Sequence, residues 1–169
     1  MESGNRQFNV LFLCTGNSAR SVMAECALNR LGAGRFRAFS AGSHPKGAIH
    51  PDTLAILAGL GYRIAGLRSK SWDEFAAPDS PPMDFIITVC DSAAGEVCPL
   101  WPGRPITAHW GLPDPAAFVG SAEDRRVAFA RTCRALEHRV RRLITLPLAT
   151  MDAQELRRQM DEIGKEPIG

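Results

Sequence analysis

A short polar loop near the N-terminus carries residue types that could bind and attack an oxyanion. The loop runs Cys14-Thr15-Gly16-Asn17-Ser18-Ala19-Arg20-Ser21. A Cys14 thiolate is a nucleophile, and the planar Arg20 guanidinium can donate paired hydrogen bonds to oxyanion oxygens. Ser21 could donate a hydrogen bond to the thiolate, and the Asn17 side chain could brace the loop. The sequence therefore predicts a site that binds an oxyanion through residues 15–21 and attacks it through Cys14.

A cysteine followed six residues later by an arginine is a weak signal alone. The spacing occurs three times in the chain, at Cys14/Arg20, Cys98/Arg104 and Cys133/Arg139. The third interval lies in a predicted helix, whose N–H groups are already bonded, and the second encloses two prolines, which have no N–H group. Only the first lies between a predicted strand and a predicted helix, where free N–H groups and the helix dipole favour an anion.

Attack on an oxyanion also needs an acid that protonates the departing oxygen. Asp114 is the candidate, because Pro113 and Pro115 mount it stiffly after a predicted strand. A Pro-Asp-Pro segment is more often an ordinary turn, so that alternative stays open at this point.

Cys90 and Cys98 are either a redox pair or two unrelated cysteines. Hydrolysis of a phosphoester needs one thiolate and one acid. A two-electron reduction of an oxyanion instead needs two thiols that end as a disulfide, and a third thiol can move that disulfide to an accessible place. Cys14, Cys90 and Cys98 supply that number, while Cys26 and Cys133 are predicted to be packing residues.

Composition limits the classes of function that the chain can serve. The 169 residues carry a net charge of +2 and are 45% hydrophobic, which fits one soluble globular domain and gives no support to nucleic-acid binding. No apolar run approaches the ~20 residues of a membrane span and no signal peptide opens the chain, which predicts a cytoplasmic protein without membrane association. The histidines are not clustered and no Cys-x-x-Cys pair occurs, so no firm metal site is predicted.

Short apolar strands and amphipathic helices alternate along the chain. The predicted strands are Asn9–Cys14, Arg37–Ser40, Asp84–Cys90 and Pro105–Trp110. The predicted helices are Ser21–Leu31, Pro51–Leu60, Ser121 to about Leu146 and Asp152–Ile163, with a short helix after a capping box at Ser71-Trp72-Asp73-Glu74. This alternation predicts parallel strands in a three-layer α/β/α domain, with the ligand at the carboxyl ends of the strands. Cys14, Cys90 and Asp114 follow such ends and should converge.

Motifs from four parts of the chain together resemble those of the arsenate reductases built on the low-molecular-weight protein tyrosine phosphatase fold. They are the 14–21 loop with Met23-Ala24-Glu25, Ser40-Ala41-Gly42, Thr88-Val89-Cys90 through Cys98-Pro99, and His109-Trp110-Gly111-Leu112-Pro113-Asp114-Pro115. The resemblance implies a doubly wound sheet of four parallel strands. It covers about residues 8–145, so residues 1–169 are expected to form a single catalytic domain with a helical tail over about residues 148–169.

The resemblance also implies a reaction sequence. Arsenate would bind in the 14–20 loop, the Cys14 thiolate would attack arsenic, and Asp114 would protonate the departing oxygen. Cys90 would then attack the Cys14 sulfur and release arsenite, and Cys98 would transfer the disulfide from Cys14–Cys90 to Cys90–Cys98. The implied function is arsenate reduction for arsenic detoxification, with phosphatase activity as a residual property.

No tightly bound cofactor is implied, and the electrons would come from an external thiol donor. Thioredoxin is the first expectation. Glutaredoxin with glutathione is the alternative, because the segment from Cys90 to Cys98 is one residue longer than the thioredoxin-linked pattern. Phosphate and sulfate are expected to bind as analogues of arsenate. Some family members hold a monovalent cation beside the loop, and a potassium ion would here meet Asn17, Glu25, Ser40 and Asp73.

Two other functions remain open on the sequence. The first is a low-molecular-weight protein tyrosine phosphatase, although residues 116–118 lack the tyrosines that phosphatase relatives place there and the single tyrosine of the chain is Tyr62. The second is a non-catalytic oxyanion-binding regulatory module, which would not require a nucleophile at Cys14 together with an acid at Asp114.

Overall fold

The computed structural model describes residues 6–90, 101 and 103–167, and in this part of the chain four strands alternate with five α-helices. The strands are β1 (Phe8–Cys14), β2 (Phe36–Gly42), β3 (Phe85–Thr88) and β4 (Ile106–His109). The α-helices are α1 (Arg20–Leu31), α2 (Pro51–Gly59), α3 (Asp73–Ala76), α4 (Ala122–Ile144) and α5 (Ala153–Gly164), and a 3-10 helix covers Pro115–Ala117. Of the helices in these described ranges, none has the length and apolar character needed to cross a membrane.

The four strands form one parallel sheet in the order β2-β1-β3-β4. β1 pairs with β2 along its full length, from Phe8 opposite Phe36 to Cys14 opposite Gly42. β3 pairs with β1 on one side and with β4 on the other, and its last paired residue is Thr88. The predicted three-layer α/β/α fold with a four-stranded parallel sheet is confirmed. β1 thus delivers Cys14 to the carboxyl edge of the sheet.

Side chains alternate along β1 and divide the core between the two faces of the sheet. Val10 and Phe12 are fully buried and pack in a large cluster with residues of α1 and α4. Leu11 and Leu13 are also fully buried, and they pack in a second cluster with Phe75 of α3. Helices α1 and α4 therefore cover one face of the sheet, and α3 covers the other.

The start of α3 differs from the predicted capping box. The Ser71 hydroxyl accepts a hydrogen bond from Asp73 N–H at 3.1 Å, a local turn rather than a bond to the third helical residue. The Glu74 carboxylate is paired with the Arg68 guanidinium through bonds of 2.7 and 3.0 Å. The capping box is wrong because a two-pronged, charge-assisted pair with Arg68 engages the carboxylate that the box requires.

The chain beyond α4 folds back on the sheet through α5. Leu156, Met160 and Ile163 are buried and belong to the main core cluster. Their spacing places them on one stripe of the helix. The contact with β4 is close, because a Cβ added at Gly164 would lie 2.2 Å from His109 O. The tail therefore packs against the last strand of the sheet.

Candidate active site

The loop between β1 and α1 surrounds the Cys14 sulfur with polar groups. Asn17 N–H donates to Cys14 Sγ at 3.3 Å, and Ser21 Oγ lies 2.9 Å from the same sulfur. Cys14 is only 3% exposed. Hydrogen bonds donated to a sulfur favour its thiolate form. This loop, residues 14–21, is called the oxyanion loop below, and it can hold a nucleophilic thiolate.

Asn17 fixes the oxyanion loop in a shape that few L-residues adopt. Its φ is 46°, in the left-handed region that asparagine tolerates better than most residues. Its buried amide nitrogen donates to Ser21 Oγ at 2.8 Å and to Ser40 Oγ at 3.0 Å, and its Oδ1 accepts from Lys70 N–H at 2.8 Å. One side chain thus ties the loop to α1, to β2 and to the segment before α3.

Neighbouring segments bind the carbonyl groups of the oxyanion loop. Thr15 O accepts from His44 N–H at 2.9 Å, and Gly16 O accepts from Lys46 N–H at 3.0 Å. Gly42 approaches so closely that a Cβ there would lie 2.4 Å from Thr15 O. Because the first N–H groups of a helix have no partner within it, the N–H groups around the start of α1 remain suited to an anion.

Arg20 joins the oxyanion loop to residues 110–114, which are called the acid loop below. Arg20 Nη1 donates to Leu112 O at 2.8 Å, and Nη2 lies 3.7 Å from Asp114 Oδ2. Arg20 Nε is buried and has no hydrogen-bond partner among the residues that the structure describes. A buried N–H group without a partner is costly, and an oxyanion oxygen would satisfy it.

Asp114 caps the start of the 3-10 helix and also faces the guanidinium of Arg20. Its Oδ1 accepts from Ala116 N–H at 2.9 Å, while Oδ2 is the oxygen nearer to Arg20. The side chain is 40% exposed, so solvent reaches its carboxyl. The turn that a Pro-Asp-Pro segment usually forms is therefore present, and it holds the Asp114 carboxyl beside Arg20 on the wall of the cleft.

One cleft of about 450 Å³ is lined by the oxyanion loop, by Cys90 and by Asp114. Cys90 is 2% exposed, and its Sγ lies 3.7 Å from Thr15 Oγ1. The structure thus brings together predicted residues from three separate strand ends. The predicted resolving cysteine, Cys98, lies outside the described residues.

His44 and Lys46 also line the cleft, and neither is among the site residues predicted from the sequence. Both follow the carboxyl end of β2, and the Lys46 side chain packs against Gly16, where a Cβ would lie 3.2 Å from Lys46 Cε. Lys46 adds a positive charge to the rim of the cleft. The rule that selects polar residues after the end of a parallel strand could have found both.

Cys26 and Cys133 are buried in the core and do not line the cleft. Burial raises the pKa of each thiol to about 12. A thiol that stays protonated is a poor nucleophile. These cysteines act as packing residues, as the sequence analysis predicts.

Three of the four predicted cation ligands form one hydrogen-bonded chain beside the oxyanion loop. Asn17 Nδ2 donates to Ser40 Oγ, which donates to Glu25 Oε1 at 2.5 Å. Burial raises the pKa of Glu25, and the positive charge of Lys70 opposes that rise. In the described ranges no hydrogen bond or ion pair joins the Asp73 carboxylate to this chain, and no group of three or more His, Cys, Asp or Glu side chains could hold a metal ion.

Known proteins are similar to this chain over most of its length. Residues 9–161 match the family described as low molecular weight phosphotyrosine protein phosphatase. An arsenate reductase of Halalkalibacterium halodurans is 33% identical over 122 residues, which are 72% of this chain and 84% of the relative. A glutaredoxin arsenate reductase of Synechocystis sp. is 34% identical over 106 residues, which are 63% of this chain and 77% of the relative.

Solved structures give the same result. An arsenate reductase in the phosphate binding state has a TM-score of 0.67 at 31% identity, and the match covers 82% of this chain and 98% of that one. A thioredoxin-dependent arsenate reductase from Corynebacterium glutamicum has a TM-score of 0.58 at 27% identity, with 85% of this chain and 63% of that chain covered. The chain therefore belongs to the low molecular weight phosphotyrosine protein phosphatase family, and its resemblance within that family is to the arsenate reductases.

Proposed function

We propose that this protein is an arsenate reductase that converts arsenate to arsenite for arsenic detoxification. The observation that carries the proposal is a second buried thiol, Cys90, on the wall of the cleft that contains Cys14. Hydrolysis of a phosphoester would use Cys14, Arg20 and Asp114, and it does not require the Cys90 thiol. The similar proteins named arsenate reductase support the assignment. Residual phosphatase activity is expected because the groups needed for hydrolysis are all present.

The first step forms a bond between the Cys14 sulfur and arsenic. The arsenate oxygens bind to N–H groups of the oxyanion loop and to the free donors of Arg20. The Cys14 thiolate attacks As(V), and the As–O bond opposite to it breaks. Asp114 gives its proton to the departing oxygen, which leaves as water. Arsenic is still As(V) in the resulting thiol adduct.

Reduction occurs in the second step. The Cys90 thiolate attacks the Cys14 sulfur, the S–As bond breaks, and its electron pair goes to arsenic, which leaves as arsenite in the As(III) state. The two sulfurs lose two electrons and form the Cys14–Cys90 disulfide. Cys98 then attacks the Cys90 sulfur, which releases the Cys14 thiolate and leaves a Cys90–Cys98 disulfide. An external dithiol reduces that disulfide.

We further propose that the reaction depends on an external thiol donor and takes place in the cytoplasm. The electron donor is thioredoxin, with glutaredoxin and glutathione as the alternative, and relatives of both kinds support an external thiol donor. The reaction takes place in the cytoplasm, where thiols stay reduced. The core of about residues 8–145 and the tail together act as a single catalytic domain.

We also propose that the protein binds potassium weakly at Asn17, Glu25, Ser40 and Asp73. The charge of Lys70 lowers the pKa of Glu25 against the effect of burial. Lys70 therefore already supplies part of the positive charge that a cation would bring to this chain of hydrogen bonds. We expect the protein to reduce arsenate without added potassium.

The test measures arsenite production with a thioredoxin system and, in parallel, with glutaredoxin and glutathione. We expect multiple turnovers from the wild type and none from Cys90→Ser. Cys98→Ser should stop after one turnover with the Cys14–Cys90 disulfide formed. Cys133→Ala is the matched control, because it removes a buried thiol outside the cleft and should keep turnover.

Three other outcomes would contradict the proposal in different ways. Multiple turnovers from Cys90→Ser would show that the proposed relay is wrong. Aryl phosphate hydrolysis by a wild type that does not reduce arsenate would identify a phosphatase. A folded wild type with neither activity, but with phosphate bound at Cys14, would identify a regulatory oxyanion-binding module.

A further inference from the structure

Two arginines hold consecutive carbonyl groups of the acid loop. Arg20 Nη1 donates to Leu112 O at 2.8 Å, and Arg139 Nη1 donates to Gly111 O at 3.4 Å. These carbonyls lie two and three residues before Asp114 in the chain. Arg20 belongs to the oxyanion loop, whereas Arg139 comes from α4 and does not line the cleft. Arg139 therefore contacts the acid loop from outside the reaction site.

Arg139 is a charged side chain in the protein core. It is 4% exposed, and burial lowers its pKa. Within the described ranges it forms no ion pair, and its Nη2 donates to the main-chain oxygen of Glu166 at 3.2 Å. A buried cation without a carboxylate is expensive, and an apolar side chain in such a place is often neutral or stabilising. A role in holding the acid loop would explain why position 139 carries a guanidinium group.

The C-terminal end of α5 contacts the first residue of the same loop. Trp110 is fully buried, and its Nε1 donates to Met160 O at 2.9 Å. A Cβ at Gly164 would lie 2.8 Å from Trp110 Cδ1, so the helix backbone packs directly on the indole. The Glu166 carboxylate pairs with Arg142 of α4. This ion pair anchors Glu166 to α4, and the main-chain oxygen of Glu166 is the group that accepts from Arg139.

The side chain of Asp114 has few restraints of its own. It accepts one hydrogen bond from Ala116 N–H, and its distance to Arg20 Nη2 is 3.7 Å. The position of the carboxyl therefore depends on the main chain that carries it, which Arg20 holds at Leu112 and Arg139 holds at Gly111. A general acid has to be within hydrogen-bond reach of the oxygen that it protonates, and a misplacement of about 1 Å can cost roughly 100-fold in rate.

We propose that Arg139, docked on the segment after α5, is a positioning residue that sets the place of Asp114 for proton transfer. The inference rests on the proposed function, because that function gives Asp114 the role of the acid. It assigns the tail a role in the reaction without contact with arsenate. Helix α5 supports Trp110, and Arg139 links the segment after α5 to Gly111.

The test is a double-mutant cycle of Arg139→Met and Asp114→Asn, measured on arsenate reduction and on aryl phosphate hydrolysis. Arg139→Met should lower kcat roughly tenfold, a part of the full contribution of a general acid, with little change in KM. In the Asp114→Asn background Arg139→Met should lower kcat by less than about twofold, because the acid that Arg139 positions is gone. The matched control is Arg141→Met, which removes an exposed arginine of the same helix and should leave kcat unchanged.

A second readout does not depend on activity. Amide hydrogen exchange over residues 110–117 should be faster in Arg139→Met than in the wild type or in Arg141→Met. Exchange in the oxyanion loop should stay the same. Protection of Cys14 from iodoacetamide by phosphate should change less than about twofold, because Arg139 does not touch the oxyanion loop.

An equal loss of kcat in both backgrounds would overturn the inference, since Arg139 would then act independently of Asp114. Unchanged exchange in the acid loop would overturn it as well. If Arg139→Met does not fold, Arg139→Lys carries the same cycle, because lysine keeps the charge but cannot bridge two carbonyl groups with a planar fork. A folded wild type without either activity refutes the proposed function instead, and the exchange experiment then decides alone whether Arg139 holds the loop.

Discussion

Replacing Gly42 by alanine should disturb the oxyanion loop through a single methyl group. Gly42 is the last residue of β2, and a Cβ there would lie 2.4 Å from Thr15 O and 3.0 Å from Asn17 N. Both neighbours are main-chain atoms of the oxyanion loop, so no side-chain rotation can make room. Ordinary van der Waals contact begins at 3.4 Å, so Thr15 O must retreat by about 1 Å.

This displacement sets the expected size of two effects. Overpacking at a rigid site costs about 2 kcal/mol of the free energy of unfolding, which lowers Tm by roughly 4–8 °C in a chain of this size. A shift of about 1 Å in the groups that bind the anion can slow the reaction by up to a hundredfold. Urea unfolding measures the first effect. Phosphate protection of Cys14 from iodoacetamide and the rate of arsenite production measure the second.

Gly59→Ala is the matched control for this change. Gly59 ends α2 and is exposed, and a Cβ there would meet nothing within 4 Å. We expect the substitution to be neutral or to raise the free energy of unfolding by about 0.5–1 kcal/mol, because alanine suits a helix and restricts the unfolded chain. Unchanged phosphate protection in Gly42→Ala would refute the reasoning, since the Thr15 carbonyl could then move without moving the N–H groups of the loop.

Two further substitutions and one pH titration test other parts of the site and core. Ser21→Ala removes the hydroxyl 2.9 Å from Cys14 Sγ, so alkylation of Cys14 at neutral pH should slow roughly fivefold; an unchanged rate would show that Ser21 does not stabilise the thiolate. Burial, together with the hydrogen bond to Glu137, raises the pKa of Tyr62 to about 12. The stability that Tyr62 contributes is therefore complete below about pH 10 and lost as the pH rises toward 12. Because Tyr62 is the single tyrosine, tyrosinate absorbance reports it directly, and a native midpoint near 10 would contradict this expectation. Lys70→Gln removes the positive charge that opposes the rise in the pKa of Glu25. In this variant KCl should raise Tm more than choline chloride does, whereas in the wild type the two salts should act alike. Equal effects of the two salts in the variant would contradict the idea that Lys70 takes the place of potassium.

Elements that depend on local sequence could be predicted closely. The apolar run of β1, the small polar loop and the stripe of α1 follow one another without interruption, and α1 begins at Arg20, one residue before the predicted start. The boundaries of β3 were less predictable. The apolar pattern reaches Cys90, but the strand ends at Thr88, because the ladder with β4 ends where Thr88 faces His109.

Contacts between distant segments could not be predicted, because they depend on how α4 and α5 pack on the sheet. The interval from Cys133 to Arg139 matches the oxyanion spacing by coincidence, and both residues lie inside α4, as predicted, so it is no anion loop. The structure nevertheless gives Arg139 a contact with Gly111, 28 residues away. Arg139 lies on the buried stripe of α4, three residues after Leu136 and four before Leu143, but the periodicity of the helix does not show that its partner is Gly111. The role of Cys98 stays a prediction.

The conformation of Asn17 restricts which residues its position can accept. The position requires a left-handed main chain, two donated hydrogen bonds and one accepted hydrogen bond, all in a fully buried place. Glycine would adopt the main-chain angles but make none of the side-chain bonds. Aspartate would lack the amide donors and bring a negative charge beside the Cys14 thiolate and Glu25. Asparagine meets all of these demands with one small side chain, so a library of variants at this position should leave it as the sole fully active residue.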